Sequence, residues 1–287
     1  MPMADFEEKQ YEAAANMELS LHHPGVFASG QVLEAVVGYD VAANQPKNAP
    51  IWQLIGVNAP PGLQLVPNHW NGQRKRPKAA ELPSTYVSLI LQYKRPRYLH
   101  TSRASQWHHW NTPYFRFEVS NYAPTNQHDT LIDLEAALSP RAVVHYACPA
   151  FFTYADLQAN QLNRTVLSST NFVPPSGIGA HAAWTYTNAG TIGYANPTGE
   201  AVRGWSFKKV WGLVEKGGHK ENLLQHLRGL AEGLEPQPEA IAMEWLAHFP
   251  LDDLSPARIQ GLRDVVALGS TFGRLGASWT VVDLEMT

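Results

Sequence analysis

The chain has 287 residues, of which 44% are hydrophobic and 16% charged. That balance excludes a disordered chain and fits one large globular domain, or a domain with an appendage. The net charge of −3 identifies no partner, and the single cysteine, Cys148, excludes an intrachain disulfide framework and a cysteine-rich zinc site. The first turns are acidic rather than basic and then apolar, and no apolar stretch is long enough to span a bilayer, so a cytoplasmic setting without a membrane partner is expected.

Residues 5–21 predict a helix, with Phe6, Ala13, Ala14, Met17 and Leu21 on one stripe and acids in its first turns. Residues 31–43 fit helix or strand, with Gly38 a break, and 51–57 a short strand; 59–62 and 68–78 read as loops. Residues 86–93 are the strongest strand, bracketed by Pro83 and Pro96. Residues 114–119 alternate as a half-buried strand does. Asn126 caps a helix running to Leu138, with Leu131, Leu134 and Leu138 on its buried face. Residues 142–148 form a continuous apolar run, the pattern of a strand buried on both faces. Beyond them, 156–162 predict a short helix and 174–204 long loops; 206–215, 221–232, 239–249 and 256–268 predict helices, and 279–284 a strand. This order implies an α/β fold, a central mixed sheet flanked by helices. The expected division is an α/β core with loop insertions over 1–204 and a mainly helical C-terminal extension over 205–287, whose last strand can return to the main sheet.

The residues that suggest chemistry begin at the end of the strongest strand. In Leu89-Ile90-Leu91-Gln92-Tyr93-Lys94-Arg95-Pro96, Gln92 and Lys94 project from the same side because strand residues alternate. Upstream, Glu34 and Asp40 flank Gly38. Carboxylate and amide oxygens are hard donors that suit Mg²⁺, and phosphodiester hydrolysis uses such an ion to activate water and neutralise phosphate charge. Asp40, Gln92 and Glu34 are the candidate ligands for Mg²⁺ or Mn²⁺. Lys94 is the candidate to position water or stabilise developing negative charge. The ordinary reading of the same residues is a surface acid, a turn residue and a lysine snorkelling from a strand end.

Gln-x-Lys closing an apolar strand, with an upstream Asp and a following helix and strand, resembles the PD-(D/E)xK superfamily of restriction-endonuclease-like nucleases. The resemblance covers about the first half of the chain and implies that superfamily's core. It matches Asp40 to the metal-binding Asp, Gln92 to the position usually held by an acid, Lys94 to the catalytic lysine and Glu34 to an extra upstream acid. No Pro precedes Asp40, and the long separation from Asp40 to Gln92 needs an insertion. In these nucleases the helix after the lysine strand borders the active site, which makes Gln127 a supporting candidate there.

Nine Lys and Arg residues and one acid, Glu81, lie between Arg74 and Arg116. Arg74, Lys75, Arg76, Lys78, Arg95, Arg97 and Arg103 are candidate phosphate contacts. Trp107, His108, His109 and Trp110 are candidates to stack on bases, but a loop packed on the body by its tryptophans is the ordinary reading and the favoured one. Adjacent histidines in a strand would point to opposite faces, so a zinc site is not expected there. Ser176-Gly177-Ile178-Gly179 lacks the lysine of a phosphate loop, and no serine nucleophile elbow is present.

The expectation is a metal-dependent nuclease acting on nucleic acid, DNA before RNA; analogy suggests the role of a defence effector that works with a partner protein or as a homo-oligomer. The alternatives are a non-catalytic nucleic-acid-binding protein on a degraded nuclease fold, and a carbohydrate- or protein-binding scaffold.

Overall fold

The structure, a computed structural model, describes residues 3–22, 26–28, 84–119, 126–190, 192–196, 200–234 and 255–285. The segments expected at 31–43, 51–57, 68–78 and 239–249 lie outside them, and so do Glu34, Asp40, Arg74, Lys75, Arg76 and Lys78.

In chain order the elements are α1 (Glu8–His22), β1 (Val26–Ala28), β2 (Ser84–Tyr93), β3 (Arg97–Leu99), α2 (Trp107–Trp110), β4 (Tyr114–Glu118), α3 (Gln127–Leu138) and β5 (Ala142–Pro149). There follow α4 (Tyr154–Asn163), β6 (Thr170–Val173), α5 (Pro175–Ile178), β7 (Ala183–Tyr186), β8 (Ile192–Asn196) and β9 (Glu200–Arg203). The last are α6 (Phe207–Val214), β10 (His219–Glu221), α7 (Leu223–Glu232), α8 (Pro256–Arg274) and β11 (Ser278–Asp283). The fold is α/β, with a mixed sheet flanked by helices and a long helix near the C-terminus. No helix among the described residues is long and apolar enough to cross a membrane.

The chain forms two compact units from alternating stretches: Met1–Leu19, Leu91–Ala136 and Val143–Leu213 in the first, and Ser20–Ile90, Ala137–Ala142 and Val214–Thr287 in the second. In the first unit the Lys94 amide, just past β2, donates to the Ala147 carbonyl of β5 (2.9 Å), while β6 runs antiparallel to β5. Helix α1 buries Tyr11, Ala14, Ala15 and Leu19. The expected stripe is therefore rotated: Ala13, Met17 and Leu21 are exposed. Two contacts fix that rotation. The Tyr11 ring meets Tyr93 edge-on at 5.3 Å, and the buried Glu18 carboxylate accepts the amides of Val166 and Leu167.

The same unit holds an antiparallel sheet in the order β3-β4-β7-β8-β9. Its three last strands fall where long loops were expected. They are short, at four or five residues each, so strand periodicity is hard to see. What selects them is packing: Trp184 lies across Gly193, where an added Cβ would sit 2.0 Å from the indole. Phe115, Phe117, Trp184 and Tyr186 are buried on one face of this sheet.

In the second unit β1 pairs antiparallel with β11, and β10 antiparallel with the first residues of β2. The strand expected near the C-terminus thus does enter a sheet. Helix α7 begins with a reciprocal Asn222–Gln225 capping box and buries Leu223, Leu227 and Leu230. Helix α8 runs on to Arg274, past the expected end at 268, and buries Leu262, Val265, Val266 and Phe272.

Candidate functional site

Strand β2 is buried over nearly its whole length, which delivers its last residues to fixed positions. Gln92 is 3% exposed. Its amide oxygen accepts from Gln127 Nε2 in the first turn of α3 at 3.0 Å, and its Nε2 donates to the Tyr93 carbonyl at 3.3 Å. Tyr93 points the other way, its hydroxyl donating to Asn16 Oδ1 at 2.9 Å. Gln92 and Tyr93 therefore alternate as read from the sequence, and the structure brings Gln92 and Gln127 together.

Lys94 follows, half-buried. Its ammonium nitrogen lies 5.7 Å from the centroid of the Tyr146 ring on β5, and its carbonyl accepts from Cys148 Sγ at 3.2 Å. Burial pulls the lysine below its ordinary pKa, and the negative charge of Glu8 opposes that shift. Burial likewise raises Glu8, opposed by Lys94 and by the Arg95 main chain. Glu8 sits in the first turn of α1, where the sequence shows only acids suited to a helix N-terminus. Its electrostatic influence on Lys94 was not foreseen and carries no motif signal.

Behind this pair the partners are fixed. His128 Nε2 faces the Gly179 carbonyl at 2.6 Å, which only accepts, so Nε2 carries the proton. Nδ1 lies 2.8 Å from the Tyr146 hydroxyl, within hydrogen-bond distance. Tyr146 is raised above its ordinary pKa by burial and by Asp129, and the Cys148 thiol by burial, so both stay protonated at neutral pH. Cys148 is a buried thiol, not a nucleophile.

The donors that the sequence assigned to a metal are all oxygens, and the Gln92 amide oxygen is held in place by Gln127, which suits a hard cation. Asp40 and Glu34 lie outside the described residues. Among the described residues, no three His, Cys, Asp or Glu side chains are grouped to hold an ion.

The candidate nucleic-acid contacts are placed differently from one another. Arg95 is tied to the N-terminal segment, with Nε 3.0 Å from the Ala4 carbonyl and Nη1 3.1 Å from each Glu7 carboxylate oxygen. Arg97 lies 3.6 Å from Glu118, and Arg103 is exposed. Trp107, His108, His109 and Trp110 form the short helix α2 rather than a loop, with both tryptophans packed on Leu99, Ala104 and Tyr114.

A second constellation lies in the other unit. Ser88 Oγ is 3.0 Å from His226 Nε2, and His226 Nδ1 is 3.3 Å from Glu221 Oε1. Trp279 Nε1 donates to Ser88 Oγ at 3.0 Å, so the serine proton is directed to His226 Nε2 and the ring N–H to Glu221. Arg141 approaches both Glu221 oxygens, Nε at 3.2 Å and Nη2 at 3.3 Å. Burial alone would raise Glu221; the hydrogen bonds from His226 and Arg141 outweigh it and bring the carboxyl down to about 2. Serine, histidine and acid stand in the order of a nucleophilic relay. Ser88 and His226 are both 0% exposed, however, so the arrangement satisfies buried polar groups and meets no substrate.

Comparison of the chain with protein-family models, with curated proteins and with solved structures gave no match.

Proposed function

We propose that the protein is a metal-dependent nuclease that hydrolyses phosphodiester bonds, in DNA before RNA, with its centre at the end of β2. One observation supports this reading: at the end of a buried strand the Gln92 amide oxygen is fixed by Gln127, and, two residues on, the Lys94 ammonium lies 5.7 Å from the Tyr146 ring centroid and is influenced by the charge of Glu8. Asp40, Gln92 and Glu34 would hold Mg²⁺ or Mn²⁺. When bound, the ion supplies charge neutralisation at the phosphate and acidity to water. Gln127 keeps the Gln92 oxygen oriented. Lys94 lends its positive charge to the attacking water and the developing phosphorane, and the negative charge of Glu8 opposes the effect of burial on that ammonium. A cytoplasmic defence role with a partner protein or a second copy of the chain is consistent with this chemistry.

The test is incubation with supercoiled plasmid, linear duplex and single strands of DNA and RNA, with Mg²⁺, Mn²⁺ or EDTA. Wild-type protein should cut only with metal, and Lys94→Ala should lose at least about a hundredfold in rate, the scale of a removed charge-stabilising donor. Cleavage undiminished in Lys94→Ala would refute the assignment. One observation favours a second reading, a non-catalytic nucleic-acid-binding protein: Gln92 is neutral and one of its oxygen's acceptor positions already serves Gln127. That reading expects salt-sensitive binding and no cleavage with any metal.

A further inference from the structure

The antiparallel sheet of the first unit has a second face, opposite Phe115, Phe117, Trp184 and Tyr186. Its register pairs Arg97 with Arg116, Arg116 with Thr185 and Thr185 with Tyr194, so these residues form one row across four strands. The Arg97 and Arg116 side chains are 45% and 26% exposed, and Tyr194 is half-buried. Helix α2 is anchored on this row. Trp110 Nε1 donates to Thr185 Oγ1 at 3.2 Å, and its indole meets Tyr194 edge-on at 4.9 Å. His109 lies nearly flat on Tyr194, 4.8 Å between centroids and 18° between planes. The result is a short column of rings rooted in the sheet beside two guanidinium groups.

Two details indicate that the row is built for a ligand. Arg116 Nε is buried and has no hydrogen-bond partner, an omission that native structures seldom tolerate without a role. Arg97 and Arg116 also share one carboxylate, Glu118, at 3.6 and 3.5 Å, so two positive charges face one negative.

We propose that this face binds single-stranded nucleic acid, with an unpaired base continuing the Tyr194–His109 stack and phosphates meeting Arg97 and Arg116. Charge complementarity selects a polyanion. The ring column selects the single strand, because bases in a duplex already have both faces stacked and offer only edges and backbone. The inference rests on the nucleic-acid part of the proposed function and gives that polymer a strand state and a place to lie.

The test is fluorescence anisotropy of labelled oligo-thymidylate, oligo-uridylate and a duplex of equal length, at several salt concentrations in EDTA, so that cleavage plays no part. A single strand should bind about tenfold or more tighter than the duplex, whichever sugar it carries. Tyr194→Ala should weaken single-strand binding about tenfold while Tyr194→Phe retains it. Arg116→Ala should weaken it and lower the salt slope by roughly one. Glu118→Gln should bind tighter, a gain that a folding defect cannot produce. Duplex binding as tight as single-strand binding, an unaffected Tyr194→Ala or Arg116→Ala, or an unimproved Glu118→Gln overturns the proposal. A protein that never cuts but shows this pattern leaves the face standing and removes the nuclease; no binding to any polymer removes both.

Discussion

Removing one hydroxyl, in Ser88→Ala, tests whether the buried relay of the second unit is structural. The side chain is wholly enclosed and its oxygen has two partners, Trp279 Nε1 and His226 Nε2, each at 3.0 Å. Alanine fills nearly the same volume, so little packing is lost. What it removes is the Ser88 acceptor of the indole N–H and the Ser88 donor to the imidazole nitrogen. An orphaned buried polar group costs about 1–3 kcal/mol, and two groups that each lose a partner and can partly relax give about 2–4 kcal/mol for the variant. Urea unfolding followed by circular dichroism measures this as a lower midpoint at unchanged slope. Trp279→Phe in the Ser88→Ala background removes one of these two groups, so the double variant should be more stable than the sum of the single changes predicts, by about 1 kcal/mol or more. A loss below about 0.5 kcal/mol in Ser88→Ala, the range of ordinary surface substitutions, would refute the reasoning.

Three further outcomes are expected. Burial, reinforced by Lys209, pulls His145 down to about 3, and its ring nitrogens have no partner of good hydrogen-bond geometry, so His145→Leu should match or exceed wild-type stability in the same urea assay, by up to about 1 kcal/mol. Acid should unfold the second unit in two stages. Burial holds His226 below its usual 6.5, so the stability it lends is complete above that pH and declines as pH falls below it; Glu221, held at about 2 against an ordinary 4.5, keeps its share down to about 4.5 and loses it toward 2. Melting temperatures of wild type and Glu221→Gln across this range should converge at low pH, and parallel curves would count against it. Gly193→Ala sets a Cβ against the Trp184 indole and should lower stability by at least about 1–3 kcal/mol, readable as a fall in melting temperature.

Strands β2 and β5 were legible because both are continuous apolar runs closed by prolines or polar residues, and α3 because its leucines recur at helical spacing. β7, β8 and β9 were not, since each is four or five residues long and is defined by the strand beside it. The rotation of α1 was hidden for the same kind of reason: nothing local says that Glu18 is turned inward to meet two amides across the chain. At the candidate site, alternation sufficed to turn Gln92 and Tyr93 to opposite sides of the strand. Neither Glu8 nor the Ser88–His226–Glu221 set shows any spacing, because its members arrive from distant elements.

The strand β11, at residues 278–283, also sets the order in which the molecule can be made. It pairs with β1, which the ribosome produces some 250 residues earlier. Until β11 has emerged, β1 waits as an open strand edge, available to any other unfinished chain. Loss of β11 from the C-terminal end should therefore yield insoluble protein rather than a smaller active one, and slow translation or a strand-binding chaperone should raise the soluble yield of the full chain.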